Sequence, residues 1–159
     1  MGAREDTGAR HDGGMGSDSH GRAVSAALDP ILVPAGFAAA QYGENATETW
    51  PKNQIIFCAG AEELSDRYPW LPQSANYDPE HDACFDLIVA LNPAGSIDYV
   101  ELEVVTLEAT LRHVGRTADA DTAARLTGAP LLEALPVVQQ LLPRLFEPPA
   151  GTPGAGPST

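Results

Sequence analysis

The residues best equipped for chemistry crowd into Tyr77-Asp78-Pro79-Glu80-His81-Asp82-Ala83-Cys84, where an imidazole, a thiol and several carboxylates precede an apolar run. His81-x-x-Cys84 is half of a zinc-ligand spacing, and Cys58 and His113 would bring the set to four. A structural zinc site usually rests on two close-spaced pairs, and here there is one imperfect pair. His81 and Cys84 therefore stand as a candidate metal site for a small metal-dependent enzyme. The simpler reading is a solvated loop histidine beside a half-buried thiol.

Nucleophilic chemistry has less to work with. Cys58 lies in the apolar run NQIIFCA, where a thiol behaves as a small hydrophobe. Cys84 has acidic neighbours, which raise a thiol pKa and disfavour the reactive thiolate. No G-x-S-x-G, no G-x-x-x-x-G-K-[ST] and no strand-following G-x-G-x-x-G is present, so no cofactor is expected. Glycosidase chemistry would need two carboxylates converging in a cleft. The acids of the central hairpin are instead expected on an open sheet face.

Charge is the more informative signal. Between Glu44 and Glu108 stand thirteen acidic residues against Lys52 and Arg67, which places −11 of the net −13 in that stretch. One-sided charge of this sign repels phosphate backbones and attracts basic surfaces, which argues against nucleic acid as a partner. Lys52 is the sole lysine against eight arginines, and Ala, Gly, Pro and Asp are abundant. That is the bias of GC-rich coding and points to a high-GC bacterium. No stretch approaches the roughly 20 apolar residues of a membrane span, and the first twenty lack a signal-peptide centre. The expectation is a cytoplasmic protein with free thiols and no membrane association.

The elements that must position these groups follow from pattern. Met1 to Arg22 and Glu147 to Thr159 carry too little apolar surface to offset ordering and are predicted to be disordered, with Met15 a second possible start. Residues 23–146 are then a single domain. Val24, Leu28, Ile31 and Leu32 have helical spacing, in a helix either kinked at Pro30 or starting after Asp29 and ended by Gly36. Phe37 to Tyr42 reads as a short strand, Gly43 to Trp50 as a loop, Asn53 to Ala59 as a buried strand, Ala61 to Tyr68 as a short helix and Pro69 to Pro79 as a long loop.

Two strands, Cys84–Leu91 and Ile97–Val105, flank the turn Asn92-Pro93-Ala94-Gly95-Ser96. Pairing Leu91 with Asp98, Val89 with Val100, Leu87 with Leu102 and Phe85 with Val104 makes one apolar face. A slip of one residue would put Glu101 and Glu103 among Phe85, Leu87 and Val89. The chosen register sets Asp86 opposite Glu103 and Ile88 opposite Glu101, with Cys84 and Tyr99 on the same outer face. Three helices follow: one capped by Thr106 and stopped at Gly115, one capped by Thr117 or Asp119 and ending at Gly128, and one opened by Pro130 and kinked or split by Pro136.

Strands followed by amphipathic helices predict an α+β domain: an N-terminal helix, an antiparallel sheet of three or four strands and C-terminal helices packed on one face. For function, the pattern favours a non-enzymatic interaction domain of inhibitor or immunity type. Asp86, Glu101, Glu103 and Tyr99, with Trp70 from the aromatic loop Tyr68-Pro69-Trp70-Leu71-Pro72, would bind a basic protein partner. The aromatic loop has a plainer role open to it, with Trp50 and Trp70 closing one side of the core.

Overall fold

The structure, a computed structural model, describes residues 12–42, 53–81 and 83–149, with residues 12–18 and 75 in backbone alone. It has an N-terminal helix, a four-stranded antiparallel sheet and C-terminal helices, as the sequence pattern predicts.

Helix α1 spans Asp12–Ala35 and buries Val24, Leu28, Leu32 and Ala35, a stripe at helical spacing. Pro30 and Pro34 lie within it with exposed side chains, so the carbonyl orphaned by Pro30, that of Ala26, faces the solvent side. Asp29 accepts from the Ser25 hydroxyl and, at 3.0 Å, from the Ala40 amide, tying the chain that follows back onto the helix. Gly36, at φ 119°, turns the chain out. The helix also runs N-terminally of Ala23, through residues whose composition predicts disorder. The cause is tertiary: Gly21 is buried against the Tyr42 ring, so closely that a Cβ there would lie 2.1 Å from ring carbon Cδ2, and His20 meets the turn at Gly95. Residues 1–11, the segment 43–52 with Trp50 that is expected as a loop over Gly43 to Trp50, and 150–159 lie outside the described residues.

Strands β1 (Gln54–Gly60), β2 (Cys84–Leu91), β3 (Ile97–Leu102) and β4 (Val105–Thr106) are hydrogen-bonded in sequence order. The predicted strand at Phe37 to Tyr42 is reduced to two bridges onto β1, at Phe37–Ala59 and Gln41–Ile56. Within the β2–β3 hairpin Leu87 pairs with Leu102 and Val89 with Val100, as expected. Both ends of the expected register change. Near the turn a bulge sets Leu91 against Ile97, which buries Ile97 and leaves Asp98 in water, where the simple register would have aligned Leu91 with a carboxylate. At the other end the chain reverses at Glu103-Val104, so Val104 never reaches Phe85 and is exposed instead.

Between the strands, α2 (Ala61–Arg67) is the short helix expected there, and a single turn α3 (Pro72–Ala75) interrupts what reads in sequence as a long loop. Helix α4 (Leu107–His113) is capped by Thr106, whose side chain accepts from the Ala109 amide at 3.1 Å. Helix α5 (Thr117–Ala123) has no side-chain cap and stops short of Gly128. Helix α6 (Leu131–Leu145) begins after Pro130 and continues through Pro136 without splitting. Pro136 is on the solvent side with Leu132, where water reaches the carbonyl left free. Inward residues of α1 and α6 join Phe57, Leu87, Val89 and Leu102 in one core on one sheet face. Among the described residues no helix is long and apolar enough to cross a membrane.

Candidate functional site

The strand period leaves a second sheet face. With Ile55, Phe57 and Ala59 turned to the core, Gln54, Ile56 and Cys58 of β1 face the other way, beside Cys84, Asp86, Ile88 and Ala90 of β2 and Tyr99 and Glu101 of β3. This face is not uniformly open: Ile56 and Ala90 are 1% and 0% exposed, whereas Asp86, Tyr99 and Glu101 are half-buried and Cys84 exposed. The Tyr99 hydroxyl is held at 2.6 Å by the Gln54 amide.

Cys58 belongs here and not in the core. The alternation in its own strand carries that signal, and reading the strand as one apolar run hides it. Cys58 pairs across the strands with Asp86. Burial, together with a hydrogen bond to the Asp86 carboxylate and the charges of Asp86 and Glu103, pushes its thiol up from 9.0 to about 12. Burial and the same two carboxylates raise Cys84 as well. Neither thiol is poised as a nucleophile at neutral pH. Of the Asp86 carboxylate, Oδ1 is buried without a hydrogen-bond partner.

Glu103 is not the free outward charge that the simple register implies. The β3–β4 connection is a two-residue turn with Leu102 opposite Val105, and both Glu103 (φ 52°) and Val104 (φ 59°) are left-handed. Turns of this kind favour Asn and Gly, and Val there is strained. The geometry carries Glu103 back over β2. Its amide donates to the Asp86 carbonyl at 2.9 Å, and its Oε2 accepts from the Asp86 amide at 2.8 Å. The side chain thus supplies an acceptor to β2 as the ladder ends, and the expected Asp86–Glu103 repulsion is offset by a charge-assisted bond.

Beside this turn lies a cleft of about 200 Å³ lined by Pro72, Gln73 and Asn76 around α3, and by Phe85, Glu103 and Val105. Gln73 is only 7% exposed. Its Nε2 donates to the Leu102 carbonyl at 2.6 Å, while its Oε1 has no partner. Nothing in the sequence marks Gln73, a polar residue in a stretch that reads as loop.

Two other expected site elements fall elsewhere. Trp70 is on the core side: its indole donates to the Leu145 carbonyl at 2.9 Å and its ring meets Tyr68 edge-on at 5.8 Å. Tyr68 in turn packs on Phe146 and donates to the Ala35 carbonyl. Trp70 therefore closes the core near the end of α6 and does not flank the acidic face. His81 sits in an exposed turn, its Nδ1 2.5 Å from Asp78 Oδ2. That contact holds the Asp78 carboxyl below its ordinary range. Among the described residues no three His, Cys, Asp or Glu side chains converge as a metal would require; Asp82 is outside them. His113 is at the exposed end of α4, away from Cys58 in the sheet.

No family model, curated protein or solved structure matches the chain. Its own geometry is what bears on function.

Proposed function

We propose that this is a non-catalytic interaction domain, of inhibitor or immunity type, whose acidic second sheet face receives a basic protein partner in the cytoplasm of a bacterium. The supporting observation is the segregation of charge. Arg112 pairs with Glu108 and Asp121, Arg116 with Glu147, and Arg144 with Asp119 and Glu147, so the helical side is largely self-neutralised. Arg67 lies over Tyr68 and donates to the Pro34 carbonyl. Asp86 and Glu101 have no cationic partner among the described residues, although both are half-buried. A half-buried carboxylate is less screened than one in open water, and electrostatic matching of that kind governs association rate and partner choice. The same field that attracts a basic surface disfavours nucleic acid.

Calorimetric titration with an arginine-rich peptide at low and high salt, against an oligoglutamate control, tests the reading. The double variant Asp86→Asn/Glu101→Gln is expected to weaken the arginine-rich peptide by about tenfold, equivalent to about 1.4 kcal/mol. Binding that ignores both salt and the double substitution would sink it.

A further inference from the structure

We propose that the Asp78–Pro79 peptide bond cleaves itself, in a single-turnover hydrolysis with the Asp78 carboxylate as nucleophile and His81 as acid. The reaction needs no partner. An Asp–Pro bond is open to attack from within, because the side-chain carboxylate can close a ring on its own backbone carbonyl carbon. The tertiary amide nitrogen of proline is also more basic than an ordinary amide nitrogen, and so leaves more readily. The chain has two such bonds, Asp29–Pro30 and Asp78–Pro79, and the fold treats them differently.

Asp29–Pro30 lies inside α1. Its carboxylate is held by the Ser25 hydroxyl and the Ala40 amide, with no imidazole bonded to it among the described residues. Asp78–Pro79 instead opens an exposed turn whose donors meet the atoms that would react. The Asp78 carbonyl oxygen accepts from the His81 amide at 3.0 Å, so a donor already faces the oxygen on which charge develops during attack. The carboxylate accepts from the Glu80 amide at 3.0 Å through Oδ1 and meets His81 Nδ1 at 2.5 Å through Oδ2. Those bonds, the imidazole contact above all, hold the carboxyl below its ordinary range and keep it ionised as a nucleophile. Pro79, Glu80 and His81 are all exposed, so water reaches the bond.

The step balances without any further reactant. A carboxylate oxygen bonds to the Asp78 carbonyl carbon and closes a cyclic anhydride. The C–N bond breaks, its electron pair goes to the Pro79 nitrogen, and that nitrogen takes the proton from His81 Nδ1. Water then opens the anhydride, restoring the side chain and leaving an α-carboxylate on Asp78. The protons of that water reload His81 and charge the new proline amine. The cut falls in the connection between α3 and β2. Val24, Leu28 and Phe57 before it share one core with Leu87, Leu102 and Leu142 after it, and β1 pairs with β2 from Gln54–Ala90 to Gly60–Cys84. The product is therefore a nicked domain whose two pieces stay folded together.

The test is intact-mass analysis, under denaturing conditions, of the full chain after incubation at about pH 6, within the range where histidine changes charge. Folded protein should yield fragments 1–78 and 79–159 and nothing from Asp29–Pro30, whereas in urea the two bonds should be cut equally slowly. Asp78→Ala and Pro79→Ala should abolish the fragments. His81→Gln keeps a side-chain donor but cannot give up a proton, and should slow cleavage about a hundredfold, the low end of what a positioned acid supplies. No cleavage of the folded chain over days, an equal rate in urea, or equal cutting at Asp29–Pro30 would overturn the proposal. So would fragments that persist in Asp78→Ala, or a rate indifferent to His81→Gln.

Discussion

The two ends of the β2–β3 hairpin are built by opposite rules. At the closed end Asn92 Oδ1 accepts from the amides of Ala94 and Ser96 at 3.0 and 3.1 Å, and the Asn92 carbonyl accepts from Gly95. Gly95, at φ 84°, takes the left-handed position that its missing Cβ permits. Asn53 bonds both backbone groups of Leu91 just before it. At the open end, left-handed positions fall on Glu and Val, a carboxylate extends the ladder, and two acceptors, Asp86 Oδ1 and Gln73 Oε1, go without partners. One end has its local preferences met. The other holds its conformation against them, which is what a site does when geometry matters more than local stability.

The contrast breaks first at Gly95. Gly95→Val would impose on a β-branched residue the left-handed conformation, which costs roughly 1–2 kcal/mol for an L-residue. A Cβ there would also lie 3.2 Å from His20 Cε1, pressing the turn against α1. Urea denaturation should show a loss of about 2 kcal/mol at unchanged slope. A neutral result would mean that the closed end tolerates strain as the open end does.

At the open end the mirror-image substitution should have the opposite sign. Val104→Gly removes a similar strain of roughly 1–2 kcal/mol, offset by the extra unfolded-state freedom of glycine at roughly 0.5–1 kcal/mol. Because Val104 is 83% exposed, little burial is lost. The net expectation is a gain of about 0.5–1 kcal/mol in the same denaturation experiment. A destabilised Val104→Gly would erase the distinction between the two ends.

This distinction also explains what could be read from sequence. The bounds of β2, the turn at Asn92–Ser96, the Thr106 cap and the central register are legible because local chemistry and burial agree there. The reversal at Glu103-Val104 is hidden because the alternation in Ile97–Val105 continues straight through it and no Gly or Asn interrupts the run. The bulge at Leu91 leaves a signal in the sequence, since the unbulged register aligns Leu91 with Asp98. Of the site, period alone places Asp86, Tyr99 and Glu101 on one face. Gln73 could not be found, because its burial arises from α3 packing against strands distant in sequence. Trp70 was recognisable as an anchor, but whether it anchored a partner or the core depended on the Leu145 carbonyl that its indole reaches.

The smallest expected effect concerns protons at the open end. Cys58 would titrate near 9.0 in an unfolded chain and at about 12 in the folded one, chiefly because burial and then Asp86 disfavour the thiolate. Below pH 9 both states keep the proton and the group is silent. Above it the unfolded chain releases the proton while the folded chain retains it, so stability falls as pH rises from 9 toward 12. Cys84, also raised, contributes in the same direction. Urea midpoints measured between pH 7 and pH 10 should therefore decline at the alkaline end, and Cys58→Ala should flatten the decline without abolishing it. The closed end offers a control: Asn92→Ala should lower the midpoint by a similar amount between pH 7 and pH 10, since the groups that Asn92 Oδ1 accepts from are the backbone amides of Ala94 and Ser96. If Cys58→Ala left the alkaline slope unchanged, the thiol would not be shifted by its burial and by Asp86 as the geometry at this end of the hairpin implies.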